Sequence, residues 1–291
     1  MKIGFLGFGE AARAFCDSLR ERDTGLSFIA YDILLEDEAG APDMRAAMAR
    51  HGVAIAESRS DLSEADWIVS AVTADQSLVA VEPLLEHLHQ GQWLIDTNSV
   101  SPDRKRETAA RVEERNCLYL DMAVMAPVHP RGHRTPVLLA GANMDDILGD
   151  LDRLEFDYKL AGEEAGKATA IKMVRSLFVK GLEAITVETL LAAKASDCFD
   201  EILASISSSY PGLGWPQFAA YEFERTLKHG KRRAAEMRES AATVDALGLR
   251  GALAGEIAEI QDEMGALSAD APSVEDLSAG VEKVLAARLR R

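Results

Sequence analysis

The sequence predicts an α/β protein, a doubly wound parallel sheet followed by an all-α domain. Three observations carry this. Up to about residue 160, short apolar runs alternate with helix-like stretches, the pattern of a parallel sheet covered by helices. A G-x-G-x-x-A turn joins the first apolar run to the first helical stretch. From about Ala165 the chain becomes alanine-rich and helical nearly to Arg291. At 291 residues a single core tends to divide in two, and the expected domains are 1–162 and 163–291.

In chain order, strands are expected at Lys2–Leu6, Ser27–Tyr31, Trp67–Ala71, Trp93–Asp96, Tyr119–Met122 and Val137–Ala140. Helices such as Glu10–Arg22 and Met44–His51 lie between several of them. Ile68-Val69-Ser70-Ala71-Val72 is nearly all apolar, as a strand buried on both faces requires. The second half opens with a helix from Gly166 to Ala195, rich in apolar residues and alanine and so predicted to be central and buried. One interruption is expected, at Tyr210-Pro211-Gly212-Leu213-Gly214-Trp215-Pro216, where proline and glycine break any helix.

Composition excludes several function classes. With 48 acidic and 32 basic side chains the formal net charge is −16, which opposes binding to nucleic-acid phosphates or to anionic membranes. No run of 18 apolar residues suggests a membrane span. Cys16, Cys117 and Cys198 have no CxxC spacing, so neither a disulfide framework nor a zinc cluster is expected, and no metal is assigned. Met1-Lys2 leads straight into an apolar strand, without a signal-peptide pattern, and the expected location is cytoplasmic.

The turn Gly7-Phe8-Gly9-Glu10-Ala11-Ala12 has a mechanical reading. Gly7 permits the tight bend, Gly9 lets backbone approach a pyrophosphate, and small Ala12 allows close helix–strand packing with the helix N-terminus aimed at the anion. Asp32 lies twenty residues beyond Ala12, at the end of the second predicted strand, where a carboxylate accepts hydrogen bonds from ribose hydroxyls and repels a 2′-phosphate. No arginine follows in Asp32-Ile33-Leu34-Leu35, so NAD is expected over NADP. Together these features predict a Rossmann-type dinucleotide-binding domain. Its cofactor-binding set is Gly7, Phe8, Gly9, Glu10, Ala11 and Asp32, with Val72 and Thr73 just beyond a later strand.

Asp96-Thr97-Asn98-Ser99-Val100-Ser101-Pro102 follows, then a strand ending at Asp121, then a lysine-bearing helix Ala170-Ile171-Lys172-Met173-Val174-Arg175-Ser176. This order resembles the β-hydroxyacid dehydrogenases. With Asp121-Met122-Ala123-Val124-Met125-Ala126-Pro127-Val128, it looks closest to a 6-phosphogluconate-dehydrogenase-like branch with a helical C-terminal domain of unassigned role. The resemblance implies Lys172 as general acid/base, Ser99 beside the nicotinamide, and Met125 and Ala126 in a loop cradling a substrate carboxylate. Where the family carries Ser-Gly-Gly this chain has Met125-Ala126-Pro127, and Ser176 stands for its catalytic-helix asparagine. Both changes remove polar contacts, which leaves the substrate open.

The residues support the lysine independently. A hydride cannot leave an alcohol carbon unless a base takes the hydroxyl proton, and a desolvated lysine can be tuned to that task. Lys172, Ser176 and Lys180 recur every four residues on an otherwise apolar helix. Lys180, if close and charged, lowers the pKa of Lys172. The plainer alternative is two lysines snorkelling from a half-exposed helix, and Glu183 is placed to pair with either. His129, Arg131, His133 and Arg134 form a proline-framed basic loop that reads as an anion-receiving lid, with Arg131 assigned to substrate, or as a solvated loop answering acidic neighbours. The cluster from Lys228 to Arg238 reads as surface compensation or as further substrate recognition.

The expected protein is therefore an NAD-dependent oxidoreductase. It would pass a hydride between nicotinamide and a small anionic hydroxyacid-like substrate in a cleft between the domains, and act as a homodimer. The alternatives are an imine or keto-acid reductase and a non-catalytic NAD(H)-binding sensor.

Overall fold

The computed structural model describes residues 1–290. The chain divides into two compact units, Met1–Lys172 and Met173–Arg291. In the first, the elements in order are β1 (Lys2–Leu6), α1 (Glu10–Arg22), β2 (Ser27–Tyr31), α2 (Ala41–Arg50), β3 (Ala54–Ile55), β4 (Trp67–Ser70) and α3 (Ser77–Val81). They continue with β5 (Trp93–Asp96), α4 (Pro102–Glu113), β6 (Leu118–Val124), β7 (Val137–Ala140), α5 (Asp145–Arg153) and β8 (Tyr158–Gly162). A long helix, α6 (Lys167–Ala195), starts in this unit and runs on into the second.

The eight strands form one sheet in the order β3-β2-β1-β4-β5-β6-β7-β8. Strands from β3 through β6 pair parallel, and the side chains of β1, β2, β4, β5 and β6 are mostly buried on both faces, as the apolar runs require. Ile3, Phe5, Val69, Ile95 and Leu120 pack with α1 on one face, and Leu6, Ile68, Leu94 and Tyr119 with α3 and α4 on the other. Each fully buried apolar side chain of this kind contributes about 1.5–3 kcal/mol. The order reverses direction at β1, so the crevice of the doubly wound sheet opens at the carboxyl ends of β1 and β4.

The sheet departs from the purely parallel expectation at β7, which runs antiparallel to β6. The chain between them carries no crossover helix, and without one a strand can only return antiparallel. Two strands escaped the sequence pattern. β3 is two residues long, and β8 lies at the sheet edge with mostly half-buried or exposed positions, so neither presents an apolar run.

The second unit contains the rest of α6, then α7 (Phe199–Ser209), α8 (Gln217–Ala246), α9 (Ala252–Gly265) and α10 (Leu277–Leu289). The break at Pro211–Pro216 is present, and three more divide the helices. They centre on left-handed Asp197 (φ 54°), on left-handed Gly248 (φ 73°) and on the Pro272 segment. α8 and α9 approach at backbone distance: a Cβ on Gly230 would lie 2.7 Å from the Gly265 nitrogen. Val187, Leu190 and Leu191 of α6 pack with Phe223, Met264, Val281 and Val284. α6 is only partly enclosed, however. Val174, Phe178 and Ile185 are 51%, 69% and 64% exposed, so the expected all-round burial gives way to one covered face.

Glu222 on α8 is buried, and its Oε2 has no hydrogen-bond partner among the described residues. Burial pushes its carboxyl up to about 7, and Arg225 on the next turn offsets this only in part. The folded state thus holds this proton more tightly than the unfolded chain, so the residue opposes folding increasingly as pH rises from the ordinary carboxylate range through 7. Glu222→Gln is expected to raise Tm at about pH 8 and to change it little at about pH 4; thermal melts at the two pH values check this.

Candidate functional site

The turn after β1 is built for a left-handed residue and a close approach. Gly7 has φ +88°, and a Cβ there would sit 2.7 Å from the Ala71 carbonyl oxygen. Around an added Cβ on Gly9 there is nothing within 4 Å, so Gly9 faces open space rather than protein. Gly9 is also the N-cap of α1 and supplies no side-chain cap, so Glu10 and Ala11 begin a helix whose first N–H groups are not capped from within. Ala12 is buried against the sheet. Such a turn fits a pyrophosphate: open space over Gly9, an uncapped helix N-terminus, and a positive local dipole.

Asp32 stands at the end of β2, half-buried. Its Oδ2 accepts from the Phe8 N–H at 2.8 Å and its Oδ1 from Leu34 N–H at 3.0 Å. These bonds fix the carboxylate relative to the glycine turn and leave further lone pairs for ribose hydroxyls. Thr73 is exposed and Val72 half-buried just beyond β4, and the Val72 N–H donates to Asn98 Oδ1 at 2.8 Å. Asn98 Nδ2 donates to Ser70 Oγ at 2.9 Å, and Thr97 Oγ1 to the Ser70 carbonyl at 2.7 Å. The loops after β4 and β5 are thereby tied together, and Ser99 follows directly on this anchored stretch.

Lys172 Nζ donates to Ser99 Oγ at 2.6 Å. Seventy-three residues apart in sequence, these two are brought together by the first turns of α6 meeting the loop after β5. Beneath them lies a buried polar group that sequence reasoning used only as motif markers or missed. Lys105 of α4 is fully buried, with Nζ 2.9 Å from Asp96 Oδ1, 3.4 Å from Asp121 Oδ1 and 2.7 Å from the Asp96 carbonyl oxygen. Tyr119 donates its hydroxyl to Asp96 Oδ2 at 2.7 Å, and burial, then Asp96 and Asp121, push that hydroxyl far above its ordinary pKa. The detectable signal was register: Asp96, at the end of β5, and Asp121, within β6, are paired residues on neighbouring strands.

Other candidates occupy different surroundings. In the second unit, Lys180 is 4% exposed, with Nζ 2.7 Å from Glu236 Oε2 and 3.3 Å from Ser176 Oγ. Burial lowers its pKa, and Glu236 acts against that shift. Glu183 meets Arg233 and Gln261 rather than either lysine. In the β6–β7 loop the Met125 N–H is taken by the Pro136 carbonyl at 2.9 Å, while Ala126, Arg131 and Arg134 are exposed. The middle of that loop is anchored. The buried His133 lies with Nδ1 2.8 Å from Ser18 Oγ of α1 and Nε2 2.8 Å from the Leu154 carbonyl, and burial lowers its pKa. His133 is thus a packed anchor, and the segment around it is held down rather than free to act as a lid.

The model for the NAD-binding domain of 6-phosphogluconate dehydrogenase matches residues 2–146, and a domain of unknown function (DUF1932) matches residues 193–264. The chain belongs to this 6-phosphogluconate-dehydrogenase-like NAD-binding family. A conserved hypothetical protein from Sinorhizobium meliloti 1021 is similar along nearly the whole chain, with 32% identity and a TM-score of 0.76 over 99% of this chain and 96% of that one. A 3-hydroxyisobutyrate dehydrogenase from Mycobacterium tuberculosis, solved with L-serine, aligns at 19% identity and TM-score 0.73, covering 97% of this chain and 98% of its own. An imine reductase from Streptomyces aurantiacus aligns at 18% and TM-score 0.56, covering 98% and 99%. The last two likenesses are of fold. The chain therefore has a hydroxyacid-dehydrogenase-like NAD-binding fold, and no helix among its described residues is long and apolar enough to cross a membrane.

The two glycines of the turn separate folding from binding. Gly7→Ala is expected to cost about 2 kcal/mol or more, from a left-handed backbone and a clash with Ala71. Gly9→Val is expected to leave Tm nearly unchanged and to weaken NADH binding about tenfold or more, because its side chain fills only the space over the turn. Thermal melts and NADH fluorescence titrations on both variants check the contrast.

Proposed function

We propose that the protein is an NAD-dependent dehydrogenase acting on the CH–OH group of a hydroxyacid-like substrate, with Lys172 exchanging the hydroxyl proton. The observation that supports it is the 2.6 Å contact of Lys172 Nζ with Ser99 Oγ, on a loop tied through Asn98 to the strand end after β4. Gly7, Phe8, Gly9, Glu10 and Ala11 would hold the pyrophosphate, Asp32 the ribose, and Val72, Thr73 and Ser99 the nicotinamide half. When bound, the nicotinamide supplies or accepts the hydride. Lys172 takes the hydroxyl proton in the oxidising direction and returns it in the reducing direction. Ser99 accepts from the amine and so fixes where its remaining N–H or lone pair points.

Cofactor choice follows from Asp32, whose carboxylate disfavours a 2′-phosphate, and NAD is the expected partner over NADP. For the substrate, Arg131 offers an exposed guanidinium for an anion. Met125 has its N–H engaged and Pro127 has none, so the stretch Met125-Ala126-Pro127 offers few donors beyond Ala126 and suits a bulkier, less polar group. Ser176 and Lys180 serve as further site residues, with Lys180 acting while paired to Glu236. A homodimer completes the reading, supported by the exposed Val174, Phe178 and Ile185 on α6, and sedimentation measures it.

The test follows absorbance of NADH and NADPH against hydroxyacids, keto acids and cyclic imines. Turnover of a hydroxyacid/keto-acid pair with tighter binding of NADH than of NADPH is expected. Lys172→Ala should keep NADH affinity within about threefold while lowering kcat by about 10²–10⁴. Unchanged turnover removes Lys172 from the role. Turnover of imines alone reassigns the substrate, and saturable NADH binding without any turnover favours a sensor.

A further inference from the structure

Two carboxylates stand on adjacent strands as register partners, one at the end of β5 and one within β6; one ammonium lies between them, and each carboxylate holds a different half of the Lys172–Ser99 pair. Asp96 closes β5 and accepts from the Asn98 N–H at 2.9 Å, which shapes the short stretch that presents Ser99. Asp121, its register partner on β6, reaches the start of α6. Its Oδ2 accepts from the Gly166 N–H at 3.1 Å and the Thr169 N–H at 3.0 Å, and its Oδ1 from Thr169 Oγ1 at 2.8 Å. Gly166 immediately precedes the helix and Thr169 lies in its first turn, so Asp121 serves as a cap supplied from a distant strand. Thr169 and Lys172 are three residues apart and share one face of α6.

We infer that Lys105, Asp96, Asp121 and Thr169 form a buried positioning unit that sets the contact between Lys172 and Ser99. Lys105 is the common element. Its Nζ meets both carboxylates and the Asp96 carbonyl, so it links the loop carrying Ser99 to the helix start carrying Lys172. All three charged residues and Thr169 are inaccessible to water. Both carboxylates are bonded by several donors, and Tyr119 adds one more to Asp96, so the group has little freedom to rearrange. Gly166 shows how tightly the joint is closed: it is left-handed (φ +92°), and an added Cβ would sit 2.8 Å from the Pro102 carbonyl oxygen at the start of α4. None of the four positioning residues is required to touch a substrate. The functional meaning of the unit rests on Lys172 as the proton-exchanging group, whereas its geometry does not.

Lys105→Met leaves two buried carboxylates without their cation and risks misfolding, so the decisive variants are Thr169→Val, which removes one hydroxyl with little change of shape, and Thr169→Ser, which restores it. In the full-length protein, acetylation by acetic anhydride is followed by peptide mass spectrometry at Lys172, at exposed Lys167 and at buried Lys105. For Thr169→Val, the expected result is a change of about threefold or more in the Lys172 rate, with Lys167 unchanged, Lys105 still protected, and the native rate recovered in Thr169→Ser. With a substrate found by the absorbance screen, kcat should fall about tenfold while NADH affinity stays within about twofold, again restored by serine. An unchanged Lys172 rate in Thr169→Val overturns the inference, as does loss of Lys105 protection in parallel or failure of serine to restore. Retained turnover in Lys172→Ala overturns the functional reading alone, because the labelling result needs no substrate.

Discussion

A buried ammonium between two buried carboxylates is the constraint around which the sheet's carboxyl end is arranged. Removing an ion from water costs several kcal/mol, and Lys105 recovers that only by meeting Asp96, Asp121 and a carbonyl oxygen at once. The two acids exceed the one base in charge, and the surplus is met by the Tyr119 hydroxyl, the Asn98 N–H and the first turn of α6. Every member therefore depends on strand register, because only the in-register pairing of Asp96 with Asp121 puts both carboxylates within reach of one side chain. A slip of β6 by one residue against β5 would turn Asp121 to the face of the sheet opposite Asp96.

Two of the helices that begin at this end of the sheet treat their N-termini in opposite ways. α6 has its first-turn donors filled from within the protein by Asp121. α1 receives no side-chain cap, and above Gly9 there is only open space. The same backbone physics, a positive pole and orphan N–H groups, serves as structural cement in one helix and stays available to an anion in the other. Asp32 joins the two uses of acidity: it bonds the Phe8 N–H inside the turn and still faces outward from β2.

In the helical unit, charge is spent on internal pairing. Lys180 meets Glu236, which also receives Arg232, and Arg233 meets Glu183 with Gln261 beside it. Buried pairs of this kind add little net stability compared with apolar contacts, yet they restrict how α8 and α9 can pack against α6. The apolar side chains of α6 divide between the packed Val187, Leu190 and Leu191 and the exposed Phe178 and Ile185. This division explains why a helix so apolar in sequence is buried on one face only.

Much of the fold was legible because its signals are local. Apolar runs bounded by turn residues marked the central strands, and the spacing of Gly7, Gly9, Ala12 and Asp32 marked the turn, since backbone strain and close approach restrict those positions to particular residues. The alanine-rich second half read as helix for the same reason of local propensity. What the sequence could not supply was anything that depends on pairing between distant segments. The return direction of β7, the short β3, the exposed edge strand β8 and the partners of Lys180 and Glu183 all arise from tertiary neighbours. Asp96, Lys105, Asp121 and Thr169 are ordinary polar residues along the chain. They become one buried group only when parallel strands pair in register and a helix starts against them, because hydrogen bonds and ion pairs act over about 3 Å in space, whatever the separation in sequence.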